Sequence, residues 1–137
     1  MSDVRQLDER TLISSQIRPE EVAGLAEAGV TMIVNNRPDG EDADQPLAAE
    51  IEAAAREAGI AYRHIPIVRG MGPSDIEAMR EAISEAKDGK LLAFCRTGNR
   101  STLVWAVAQY DAGVPREELE KAAAGAGMDL SPVSHLL

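Results

Sequence analysis

The sequence predicts an α/β fold in which a mostly parallel central sheet is covered by helices on both faces. Two observations carry this. Short apolar runs near 31–35, 60–67 and 91–94 alternate with stretches whose apolar residues recur at helical spacing. The run Leu91–Phe94 is apolar without alternation, the mark of a strand buried on both sides.

Taken in order, residues 1–17 alternate apolar and polar side chains only in part (Val4, Leu7, Leu12, Ile13, Ile17), which predicts one or two short edge strands. Pro19 at a first helical position, Glu20 and Glu21 in the first turn and Gly29 beyond the end bracket a helix over 19–28. Thr31–Asn35 reads as a strand, and Asn36-Arg37-Pro38-Asp39-Gly40 turns the chain. After an acidic loop, Pro46 opens a second helix, with Leu47, Ile51, Ala54, Ala55 and Ala58 on one side. Ile60–Ile67 is the next predicted strand, with Pro66 near its end. Val68–Pro73 is a glycine-containing loop. Ser74 and Glu77 have the spacing of a capping box for a helix striped by Ile76, Met79, Ile83 and Ala86. The strand Leu91–Phe94 and its loop lead into a helix that is apolar on nearly every side. Pro115, Glu117 and Glu118 begin a last helix to about Ala124, and the pattern leaves the tail 129–137 open between packing and fraying.

At 137 residues the chain suits one domain, 1–137, able to bury about two thirds of its unfolded surface. No apolar run approaches the ~20 residues of a membrane span, and the first residues have no basic-then-apolar leader pattern. A net charge of −9 argues against nucleic acid and anionic membranes as partners. One cysteine excludes an internal disulfide and a Cys-rich zinc site. A free, activated thiol fits a reducing compartment, so a cytoplasmic location is expected.

That cysteine lies at the end of the central strand, in Cys95-Arg96-Thr97-Gly98-Asn99-Arg100-Ser101. A strand that turns directly into a helix puts the sulfur over the helix N-terminus, where free N–H groups and the macrodipole favour an anion. Such a setting can lower a thiol pKa to roughly 3.5–7.5. Arg96 and Arg100 add positive charge, and Gly98 allows the loop N–H groups to turn inward as an anion nest. An isolated Cys after an apolar strand is ordinarily a small buried hydrophobe. Two arginines beside it weigh against that, because holding guanidinium groups next to an inert thiol costs free energy without return. By chain order the loops 35–39, 68–72 and 95–100 follow strand ends and should converge at one edge, where ligands of such sheets sit.

Together with Ile13-Ser14-Ser15-Gln16-Ile17, Asn36-Arg37-Pro38-Asp39-Gly40-Glu41 and His64-Ile65-Pro66-Ile67, this loop resembles the phosphatase-like domain of beta-lactamase hydrolase-like proteins. The resemblance covers nearly the whole chain. It implies a single-domain cysteine-phosphatase-like fold, similar to the dual-specificity protein tyrosine phosphatases. It also implies a functional link to persulfide dioxygenase-like proteins, since the domain occurs alone or fused to a metallo-beta-lactamase-type domain resembling them. Carried over by motif, Cys95 is the nucleophile and Arg100, with the loop Arg96, Thr97, Gly98 and Asn99, holds the phosphoryl oxygens of a small anionic or phosphorylated substrate. Ser101 would ease departure of the thiolate, and Arg69 is a candidate anchor.

The sequence departs from the phosphatase pattern in three places. Only four residues separate Cys95 from Arg100 instead of five, Phe94 stands where a histidine is usual, and Val68 and Arg69 stand where the general acid is expected. Asp39 is the first candidate for that acid and Asp75 the second, although a turn and a first helical turn are ordinary places for aspartate. The short loop is also similar to that of rhodanese sulfurtransferases, in which Cys95 would accept a sulfane sulfur and no acid is needed. A third reading is non-enzymatic, a thiol sensor or anion-binding module. His64 reads as a hydrogen-bonded strand residue, His135 has no identifiable partner, and Tyr62, Tyr110 and Trp105 read as packing. No dinucleotide fingerprint, phosphate-loop lysine or His/Glu metal cluster is present, so no cofactor is expected.

Overall fold

The computed structural model describes residues 2–137. Its strands are β1 (Val4–Gln6), β2 (Thr11–Ser14), β3 (Val30–Asn35), β4 (Ala61–His64) and β5 (Lys90–Phe94). The helices are α1 (Val22–Glu27), α2 (Ala48–Glu57), α3 (Pro73–Glu85), α4 (Asn99–Asp111) and α5 (Arg116–Gly125), with 3₁₀ turns at Pro19–Glu21 and Ser131–Leu136. The strands form one sheet in the order β1-β2-β5-β3-β4, parallel except for the antiparallel pair β1–β2. The predicted α/β class, with a mostly parallel sheet and helices on both faces, is the fold observed.

Alternation along the strands sorts the core into two layers. Leu92 and Phe94 of β5, with Ile33 of β3, pack beneath Val22, Ile51 and Ala55 from α1 and α2. Leu91, Ala93, Met32 and Val34 point the other way, toward α3, α4 and α5. Central β5 is buried over Leu91–Phe94, in keeping with its unbroken apolar run. In α4, every residue from Ser101 to Ala108 is buried.

Several local expectations are corrected by hydrogen bonding. β2 is interior to the sheet, pairing with β5, and only β1 is an edge on that side. Ile60 belongs to the end of α2: with Gly59 at φ +75°, the Ile60 N–H reaches Ala55 O at 2.8 Å and the Gly59 N–H reaches Arg56 O at 3.2 Å, a Schellman closure. Past His64, Ile65 and Ile67 still donate to Asn35 O and Asn36 O, while Pro66 between them has no N–H to give. The box that starts α3 is not Ser74 with Glu77. Pro73 occupies the first helical position, and Asp75 accepts the Gly72 N–H at 2.9 Å. The tail packs, with Leu130 and Val133 buried against the α4 side.

Topology positions the site. From β3 the chain passes through α2 on one face to the outer strand β4, then returns by α3 to place β5 on the other side of β3. The helices that follow β3 and β5 therefore lie on opposite faces, which opens a crevice beyond the carboxyl ends of these two neighbouring strands.

Candidate active site

Cys95 closes β5 at that crevice. Its N–H is tied to Ser14 O of β2 at 3.3 Å, and the Phe94 carbonyl accepts from Asn36 N at 2.8 Å, so three strand ends hold the loop base. Alternation from Leu91 and Ala93 directs the sulfur to the α4 face. The Gly98 N–H donates to Cys95 Sγ at 3.1 Å. That bond requires Gly98 at φ +92°, and a Cβ there would stand 3.2 Å from Ile13 Cδ1 and 3.5 Å from Ser14 O. Glycine is thus needed for backbone freedom and for space. Thr102 then seals the first turn of α4, its hydroxyl donating to Gly98 O at 2.8 Å.

The predicted site residues divide between this interior and the rim. Cys95 has no exposed surface, and Gly98 and Ser101 are buried. Ser101 gives its hydroxyl proton to Asn36 Oδ1 at 2.8 Å, and Asn36 in turn donates to Ile65 O, joining the loops after β3, β4 and β5. Thr97 and Asn99 are exposed, with Thr97 Oγ1 accepting the Asn99 N–H at 3.3 Å. Arg96 turns outward: its side chain is 65% exposed and its Nε lies 3.6 Å from Asp42. Arg69 is exposed in the loop after β4. His64 is bonded to Arg37 O at 2.8 Å through Nε2, as expected of a strand histidine.

Arg100, unlike Arg96, is partly buried and bonds across the crevice. Its Nη1 donates to Ile67 O at 2.9 Å and to Glu41 Oε2 at 2.8 Å, and its Nη2 donates to Glu41 Oε1 at 2.8 Å. Glu41 also accepts from Nε of the buried Arg37, whose Nη2 donates to Asp42 at 2.7 Å and whose Nη1 donates to Gln16 at 3.0 Å. The hydrogen bonds from Arg100, reinforced by Arg37, hold the Glu41 carboxyl down at about 2, and the same Glu41 contact raises Arg100 above its ordinary value, with the nearby sulfur adding to it. Glu41 is therefore a base-side anchor that leaves Nε and one Nη2 hydrogen of Arg100 unclaimed by carboxylate.

This Arg37–Glu41–Arg100 chain escapes a reading by motif. Its sequence signal is a charged cluster in a turn, which ordinarily means a solvated loop; only the burial of Arg37 distinguishes it.

The candidate acids are occupied elsewhere. Asp39 is exposed and its Oδ1 accepts the Ala48 N–H at 2.7 Å, capping the start of α2. Asp75 caps α3. Among the described residues, no group of three or more His, Cys, Asp or Glu is arranged to hold a metal ion, and no helix is long and apolar enough to cross a membrane.

Residues 3–114 match the family described as beta-lactamase hydrolase-like protein, phosphatase-like domain. The chain is 35% identical over 126 residues to a beta-lactamase hydrolase-like protein of Xylella fastidiosa, covering 90% of this chain but 29% of that one. A candidate phosphatase of Neisseria meningitidis, known from its crystal structure, is 34% identical with a TM-score of 0.80, covering 96% of this chain and 94% of that one. Kinase-associated phosphatase is similar in fold alone, at 18% identity and a TM-score of 0.73 over 99% of this chain and 91% of that one. The chain belongs to the phosphatase-like domain family of beta-lactamase hydrolase-like proteins, and it spans about three tenths of the length of the Xylella relative.

Proposed function

We propose that this member of the family is a cysteine-dependent phosphatase-like hydrolase. The observation that supports it is the placing of Cys95 Sγ against the Gly98 N–H at the start of α4, with Arg100 two residues further on in the same first turn. In this reading the Cys95 thiolate attacks phosphorus in line, the S–P bond forms as the P–O bond breaks, and the loop N–H groups with the free edge of Arg100 take up the charge on the phosphoryl oxygens. Water then hydrolyses the phosphocysteine. Because Cys95 is covered, substrate entry requires the rim to yield. Of the rim side chains, Arg96 is tied only by its 3.6 Å pair with Asp42 and can swing away at small cost, since exposed pairs contribute only ~0–1 kcal/mol.

Leaving-group protonation is the weak step. A positioned acid contributes about 10²–10⁴ in rate. Glu41, ionised down to about pH 2, holds no proton at neutral pH, and Asp39 and Asp75 are engaged as caps. The expected substrates are small anionic phosphate esters with good leaving groups. The same observation favours a second reading, sulfur transfer, in which Cys95 attacks the sulfane sulfur of thiosulfate, the new S–S bond forms as the old one breaks, and sulfite departs without a proton. A partnership with a persulfide dioxygenase-like protein belongs to that second reading. The proposed setting is the cytoplasm, with 1–137 acting as one phosphatase-like domain.

Supplying para-nitrophenyl phosphate in one assay and thiosulfate with cyanide in another separates the two. Turnover of the ester that disappears in Cys95→Ser sustains the hydrolase; turnover of thiosulfate alone, with a one-sulfur mass gain on Cys95, replaces it with the transferase.

A further inference from the structure

Beside the cradle lies an open pocket of about 350 Å³ that catalysis as described leaves unused. Three segments distant in sequence wall it: Val68 and Met71 after β4, Arg100 and Leu103 on α4, and Val133 and Leu136 in the tail. Its volume falls within the range typical of small-molecule pockets, about 300–1,000 Å³. Among the described residues, the only titratable side chain on its wall apart from Arg100 is His135. Val68, 66% exposed, and Leu136, 39% exposed, are among the few large apolar side chains the protein leaves in water. Both sit at this one cavity. Isolated exposed apolar residues mean little, but two lining one pocket that shares a wall with a cationic site describe a recognition surface.

Arg100 is the joint between the two spaces. An occupant of both must carry an anionic group on the Arg100 side and an apolar body on the tail side. The cavity is too small for a folded surface and suits a single ring or a short branched chain. We propose that it is the subsite for the non-reacting part of the substrate, which is therefore a low-molecular-weight amphiphilic anion: an aryl or branched-alkyl ester, not a bare inorganic ion. This rests on the reading of the Cys95–Arg100 loop as an anion cradle. It also gives the tail a role, since Val133 is anchored in the core and carries Leu136 to the cavity wall.

The test measures binding of methylphosphonate and phenylphosphonate to full-length Cys95→Ser protein by calorimetry. The two probes share a headgroup and differ only in the apolar body. Phenylphosphonate is expected to bind about tenfold more tightly, the order expected from burying one ring face. Leu136→Ala, and separately Val68→Ser, should each reduce that ratio about threefold; both side chains are exposed enough for the fold to survive. Equal affinities, or a ratio indifferent to both substitutions, overturn the subsite while leaving the cradle standing. If neither phosphonate binds, the cradle itself is refuted and the subsite with it.

Discussion

The loop after β5 and the loop after β3 meet at one crevice and are built on opposite principles. Residues 95–98 are held by backbone geometry: strand pairing at Cys95, a positive φ at Gly98 and a sulfur that accepts an N–H, with almost no surface exposed except at Arg96 and Thr97. Residues 38–45 are mostly exposed, and hold their position through side-chain contacts, ion pairs with Arg37, Arg96 and Arg100 and the hydrogen bonds of Gln45. In the proposed reaction the first loop presents a fixed N–H dipole where charge is received, an arrangement that needs no reorganisation. The second sets the position of one guanidinium through side-chain ion pairs. The difference teaches that the cradle is a product of folding, whereas its calibration is electrostatic and sensitive to pH and salt.

Substitutions that break this contrast should fall in a definite order. Cys95→Ser should remove turnover by ~10⁴-fold or more while the melting temperature stays near that of the native protein; residual activity within about tenfold would end the nucleophile proposal. Gly98→Ala should follow, because a Cβ at φ +92° is strained and meets Ile13 Cδ1 at 3.2 Å. A loss of about 1–2 kcal/mol in urea unfolding is expected from the backbone, with about hundredfold lower kcat/KM from the displaced N–H. Glu41→Gln probes the adjustable loop: kcat should fall about tenfold with KM changed less, since the guanidinium loses its anchor and not its charge. A rise in activity would instead identify Glu41 as a competitor for the cradle.

The same variant has a pH signature. Glu41 titrates at about 2 in the folded protein against an ordinary 4.5, so its contribution to stability is complete above about 4.5 and is lost as the pH falls toward 2. The difference in melting temperature between native protein and Glu41→Gln should shrink across that window and stay constant above it. The smallest effect is expected at Asp39→Asn, with kcat unchanged and stability lower by at most ~1 kcal/mol, because asparagine still caps α2. A tenfold loss of kcat there would restore Asp39 as the acid.

How far the site was legible follows from range of interaction. Cys95, Gly98 and Arg100 could be read from the strand–loop–helix pattern because the constraint is local: a buried strand, a positive-φ glycine and a helix start lie within ten residues. Arg37 and Glu41 could not, because a turn rich in charge looks the same whether it is solvated or clamped across a crevice. Arg96 was expected in the cradle and lies at the rim, since a loop residue's direction depends on which carboxylate the neighbouring loop offers. Asp39 and Asp75, weighed as acids, each accept a backbone N–H at a helix start, a contact fixed by where α2 and α3 begin.

What the chain's order of residues determined alone was the alternation of strands and helices, the buried central strand and the identity of the sulfur it delivers, because hydrophobic period and glycine placement are decided within a few turns of backbone. What only the tertiary structure decided was the company that sulfur keeps: the carboxylate behind Arg100, the hydroxyl of Ser101 turned to Asn36, and the tail forming the wall of a neighbouring cavity. Those partners come from positions tens of residues apart, and only the crossing of β3 and β5 to neighbouring places in the sheet brings them within reach.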